Sequence, residues 1–371
     1  MVLHVNYVAF CALMMAYIHC SRSSDRTRFI LLLLSNYIKW LTFYMSLQFF
    51  SKMSNASQSQ TSFTGRGILE RVFFSTVTTV PCFVFLLING TMLFTLRSKT
   101  VFYVTPRYIL LYNLLLADTV QLALSQLLYL LAAFRIRLTY PVCGVLTMLA
   151  DLTEEISPLT LVVMSLERYV AVCYPLRHAA IITIRNTAVA IVGVWAFSSL
   201  NVLTQILLLL DFPFEQKESL QMTEFCAKGN MLLGRLSDDY EKACTCFLFI
   251  IAGVAIMCSY IGVMIAARSA STDKASARKA RNTLLLHLVQ LGLSLFSTIQ
   301  NPLLIAISKV LDKIIFVRIQ IVFYVCIVIF PRCLSALIYG IRDQTIRPIL
   351  MYHLCCHLKL SVIQTKSEVS P

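Results

Sequence analysis

The sequence predicts an all-α membrane protein, a seven-transmembrane helix bundle followed by a short cytoplasmic interfacial helix. Of its 371 residues, 58% are hydrophobic and only 13% charged, far from the roughly half apolar and one-quarter charged mix of soluble domains. Mean hydropathy is +0.75. Apolar runs of membrane-spanning length recur along the chain, and a chain this long has room for about seven or eight spans of roughly 20 residues and for no sizeable soluble domain besides.

A helix that is apolar all round has no polar face, so charges and turn residues divide the chain better than periodicity does. Residues 1–52 form an N-terminal extension: 5–18 is short for a span, and 29–50 is long enough but contains Lys39. A signal sequence, an eighth helix and a stretch outside the working protein all fit; the last is favoured because Met53 opens a polar tail, 53–71, that needs nothing before it. That tail carries the sequon Asn55, Ala56, Ser57, with Asn55 the expected glycan acceptor. A second sequon at Asn89 falls inside the first span and is discounted. The spans read 72–96, 108–134, 144–173, 187–210, 243–267, 283–308 and 314–339, so 72–340 forms one bundle. Backbone groups in hydrocarbon must be satisfied within their own segment, so these runs are helices. Within a cytoplasmic tail, 341–371, residues 341–351 read as the interfacial helix, and the adjacent Cys355 and Cys356 suit palmitoylation.

Loop charge sets the orientation. The first, third and fifth connections carry Arg97, Lys99 and Arg107; Arg177, His178 and Arg185; and Arg268, Lys274, Arg278, Lys279 and Arg281. The fourth, 211–241, holds Glu215, Glu218, Glu224, Asp238 and Asp239 among fewer cations. Positive loops mark the cytoplasm, which puts the N-terminal tail outside the plasma membrane. The same rule absorbs the net charge of +14. No basic stripe interleaved with aromatics remains, so the partner is the lipid bilayer and not nucleic acid. Most of the 13 Cys lie scattered, several within apolar runs where a thiol is a small buried hydrophobe, and none shows zinc spacing. Cys143 and Cys226 lie at helix ends or loops on the outer side and can pair in an oxidising compartment.

At the end of the third span stands MSLERYVAVCYPLRH, with Glu167, Arg168 and Tyr169 where a helix leaves the bilayer. Taken alone, such a triplet is either a functional group or an interfacial anchor. Its company decides. Asn89 stands in the first span; Asn113, Leu116, Ala117 and Asp118 in the second; Cys143 opens the third; Trp195 lies in the fourth, Pro302 in the sixth, and Ile338 with Tyr339 ends the seventh. In order and spacing these residues resemble a rhodopsin-like (class A) G-protein-coupled receptor over roughly residues 70–352. Lys279, Ala280, Thr283 and His287, with the segments KARNTLLLHLVQ and PRCLSALIYGIRDQTIRP, are similar to fish odorant receptors in particular. The departures are Ser335 and Ala336 for an Asn and a Pro, Glu167 for the commoner Asp, and Ala252 for a fifth-helix Pro. Losing the seventh-helix Pro predicts a straighter helix there.

The resemblance implies roles. Arg168 pairs with Glu167 at rest and is released to the G protein when the cytoplasmic ends separate, with Tyr260 and Tyr339 supporting the opened state. Asp118, Ser157 and Ser335 match positions that surround a sodium ion; a protonated Asp118 hydrogen-bonded within the bundle is the alternative. No other cofactor is implied. Cys143 and Cys226 form the disulfide that tethers the acidic loop across the pocket mouth. Family receptors bind ligand in the outer half of the third helix, where this chain has Ala150, Asp151, Glu154 and Glu155. Helical spacing turns at least two of these carboxylates inward. They invite a cation, either an amine ligand or Arg332 of the seventh helix.

The leading expectation is therefore an odorant receptor, not an enzyme, that binds a small molecule outside and activates a heterotrimeric G protein inside. A non-olfactory receptor for an amine or peptide is the runner-up. A transporter lacks inverted repeats and Gly-broken helix pairs. A hydrolase lacks a nucleophile and base at one level of the bilayer.

Overall fold

The computed structural model describes residues 63–174, 176–210, 221–222, 225–231, 235–270, 288–290, 292–297, 300, 303–304, 306–307, 310, 319–343 and 345–354. The extension 1–52, Asn55, the run 271–287 with its basic cluster, Pro302, Cys355 and Cys356 lie outside them.

The described residues form a helical bundle. Five long helices run α1 Phe63–Arg97, α2 Pro106–Ala133, α3 Tyr140–Cys173, α4 Ile184–Leu210 and α5 Arg235–Ala270. An apolar helical segment, α6 Leu288–Ser297, lies in the sixth predicted span, and α7 crosses over Ile319–Gly340. Six of these are long and apolar enough to cross a membrane, the exception being α6. Helix α8, Ile346–Leu354, follows a break at Asp343, whose Oδ1 accepts the backbone N–H of Thr345 (2.9 Å) and Ile346 (3.2 Å). A side chain that satisfies the first free amides starts a helix there, so the interfacial helix begins five residues later than the apolar pattern of 341–351 implies.

Each long helix begins where its chemistry allows. Pro106 and Pro141 occupy first-turn positions of α2 and α3, where a missing N–H costs nothing. Helix α5 starts at Arg235, eight residues before the apolar run at Ala243, because Asp238, Glu241 and Lys242 form polar turns beyond the hydrocarbon. Val189, Val192, Leu203 and Leu207 of α4 and Ile250, Val254, Ile261 and Ile265 of α5 face outward, the solution a lipid solvent permits. Helix α7 is the enclosed one: 72% of its most apolar window is buried, against 22% for α5.

The seventh helix is not a regular α-helix despite the loss of the Pro at 336. Tyr324–Ile329 form a π-helical turn, with Phe330 N–H bonded five residues back to the Val325 carbonyl. Pro331 follows at once and has no N–H to give, so the ladder is already open at that level. The break lost at Ala336 is moved about one turn toward the outer side.

Candidate functional site

Three polar clusters lie along α3, and each ties it to different neighbours. The outermost sits under the mouth of the bundle. Cys143 and Cys226 are joined by a disulfide with Cα atoms 5.5 Å apart. Met222 N–H bonds the Leu138 carbonyl at 3.0 Å, so the loop lies along the start of α3. This brings Lys228, two residues after Cys226, down onto the carboxylates: its Nζ is 3.1 Å from Asp151 Oδ1 and 2.9 Å from Glu241 Oε1 of α5. Burial by itself lowers an ammonium's pKa, but Asp151, Glu154 and Glu241 outweigh it and hold Lys228 above the ordinary lysine range.

Below this clasp lies a cavity of about 130 Å³, lined by Gln121 of α2, Thr147, Ala150, Asp151 and Glu154 of α3, Lys228 above, and Ser297, Tyr324 and Arg332 from α6 and α7. An engineered apolar cavity of roughly 150 Å³ accepts benzene, so this one suits a ligand of that scale. Three of the four residues expected at a ligand site line it. Glu155 does not: one residue on from Glu154 the helix has turned about 100°, and Glu155 accepts a hydrogen bond from Asn201 of α4, which in turn accepts one from Tyr240 of α5 at 2.7 Å.

The second cluster is the polar core. Asp118, 3% exposed, accepts Ser157 Oγ (2.6 Å) and Arg332 Nη1 (3.1 Å) on Oδ1 and Ser335 Oγ (3.3 Å) on Oδ2. Arg332 is 2% exposed, and its Nη2 reaches Ser297 Oγ at 3.5 Å. The expected pairing of Arg332 with the outer carboxylates is thus overturned: Arg332 neutralises Asp118, and Lys228 neutralises Asp151. The convergence of Asp118, Ser157 and Ser335 matches the oxygen set implied for sodium, but a guanidinium already addresses it. A second unit charge about 4 Å away meets roughly 4 kcal/mol of repulsion at an effective dielectric of about 20. These residues do not fit a sodium ion while Arg332 is in place. Around the core, Asn89 Nδ2 donates to the Arg332 carbonyl (3.1 Å), and Asn113 bonds both Thr160 Oγ1 and the Trp195 indole N–H at 2.9 Å. Asn89 itself is fully buried, with no room for a glycan at its side chain.

The third cluster closes the end of the bundle away from the disulfide. Arg168 Nε lies 3.5 Å from Glu167 Oε2, and His178 Nε2 is 3.7 Å from Glu167 Oε1. Arg168 also faces Tyr339, whose buried ring carries the Arg107 guanidinium 5.4 Å from its centroid. Arg107 in turn meets Asp343 at 3.4 Å, and Tyr108 donates to the same carboxylate at 3.1 Å. Tyr169 lies over Gly262 of α5 so closely that a methyl there would come within 2.4 Å of its ring. Tyr260, half-buried on α5, is not hydrogen-bonded to Arg168 among the described residues. Among the cluster members to which the sequence reading gave no site role are Arg107, Asp343 and Lys228, and with them Gln121, Ser297 and Glu241.

The chain matches the family described as 7 transmembrane receptor (rhodopsin family) over residues 88–339. It belongs to that family. Odorant receptor 131-2 of Danio rerio is 31% identical over 274 residues, covering 74% of this chain and 83% of the relative. Human Olfactory receptor 56A1 is 28% identical over 273 residues, covering 70% and 81%. Human Olfactory receptor 1M1 is 28% identical over 171 residues, 44% of this chain and 54% of the relative. This rhodopsin-family receptor is a multi-pass membrane protein whose task is signalling, not catalysis.

Proposed function

We propose that this chain is an odorant receptor of the plasma membrane, with its N-terminal tail outside, which converts binding of a small molecule into activation of a heterotrimeric G protein. One observation carries the reading: the cavity under the loop is walled by residues of several helices, and its floor residue, Arg332, is bonded directly to the polar core. The names of the relatives supply the chemosensory class. Loop charge and the outer disulfide support the orientation. From Asp151 to Arg168 is 17 residues, about 25 Å along a helix. Ligand and G protein therefore communicate through helix movement, for which the Glu167, Arg168 and Tyr339 contacts are the closed position. Lys228 and Arg332 in the cavity wall are paired with Asp151, Glu241 and Asp118, which leaves Glu154, in no ion pair among the described residues, as the carboxylate open to a positive group on a ligand. Screening odorant and amine mixtures in cells that carry an olfactory G protein tests this, with Arg168→Ala as control at matched surface level. A response abolished by Arg168→Ala is expected; a response that survives it contradicts the switch.

A further inference from the structure

We infer that Arg332 is the resident cation of the polar core: its guanidinium takes the place the resemblance assigns to sodium, so the core charge of this receptor is covalently tethered and indifferent to sodium. The inference rests on where the donors point. Asp118 Oδ1 already accepts Ser157 and Arg332, and Oδ2 accepts Ser335, so the charge a hard metal ion would answer is already answered by a guanidinium 3.1 Å away. The side chain is held from several directions. Asn89 of α1 fixes its backbone carbonyl, Ser297 receives its far nitrogen, and it hangs from α7, the most enclosed span. The departure at Ser335 has a use here, because a hydroxymethyl group is shorter than the expected amide and leaves space beside Asp118 for a guanidinium. Charge balance agrees. One carboxylate and one guanidinium sum to zero, whereas adding sodium leaves a net positive charge at mid-bilayer depth. Since Arg332 also lines the cavity, a ligand meets this cation directly, and no exchangeable ion stands between the cavity and the core.

The test is thermal unfolding of the purified full-length receptor in lipid nanodiscs, in sodium chloride and in choline chloride at equal ionic strength. The wild-type midpoints should agree within about 1 °C, while sodium should raise Arg332→Gln by about 3 °C or more, as expected when an ion binds only the folded state. Adding Asp118→Asn to that variant should abolish the rise. Two results overturn the inference: a sodium-specific rise in the wild type that Asp118→Asn removes, or an Arg332→Gln protein that folds and ignores sodium. If Arg332→Gln is not recovered folded, the wild-type comparison decides alone. The readout is stability, so the outcome does not depend on which ligand the receptor senses.

Discussion

Asp118 and Asp151 are both buried carboxylates in a membrane bundle, and each is neutralised by a single cation, but the two cations come from different places. Arg332 reaches Asp118 from a neighbouring helix of the enclosed core, with both partners almost fully buried. Lys228 reaches Asp151 from a loop pinned by one disulfide, is itself 23% exposed, and shares its charge with Glu241. A core pair cannot part without stranding charge in hydrocarbon. A loop-borne pair can part, because water and a second carboxylate are at hand. The inner pair is therefore a fixed centre and the outer pair a movable one, which is the division a receptor needs between scaffold and input.

The sharpest way to break this contrast is to strand the inner charge. Asp118→Ala should cost about 3–5 kcal/mol, and Asp118→Ala with Arg332→Leu should recover most of that loss. Thermal midpoints in nanodiscs measure both; a double variant as unstable as the single one removes the pair from its central role. Next comes the staple of the movable side. Cys226→Ser should lose about 2–5 kcal/mol and make stability indifferent to reductant. A variant as stable as the wild type would mean that the loop is held by other contacts. Smallest is Asp151→Ala, expected to cost about 1–2 kcal/mol, since Lys228 keeps Glu241. A loss as large as that of Asp118→Ala would erase the distinction between the two regions.

The spans were legible because apolar runs bounded by charges leave few alternatives, and the positive loops gave their direction. Helix ends were not, because hydropathy marks the bilayer and not the helix: α5 continues through Asp238 and Lys242 into water. Placement on one side allowed Cys143 and Cys226 to pair, the resemblance implied that they do, and the bond is present. Of the two cations the outer carboxylates invite, an amine ligand and Arg332, the second is excluded by depth along the helices. It stands seven residues from Tyr339 and Asp118 stands 11 from Arg107, whereas Asp151 stands 17 from Arg168. At 1.5 Å per residue these are about 10, 16 and 25 Å from the end of the bundle that holds Arg168, which favours Asp118. Lys228 was within reach too, since a bond at Cys226 must carry its near neighbours to the top of α3. The π turn before Pro331 leaves no mark in the sequence, because YVCIVI is an apolar run like any other in a spanning helix.

The central claim is that the outer clasp belongs to ligand input and not to the scaffold. Dose-response of G-protein activation for Lys228→Gln against wild type, at measured surface expression, tests it most directly once a ligand has been identified. The account predicts surface levels within about twofold and a half-maximal concentration moved by about tenfold, or roughly 1.4 kcal/mol of ligand-linked free energy. Collapse of surface expression with an unchanged half-maximal concentration in the surviving receptor would contradict it.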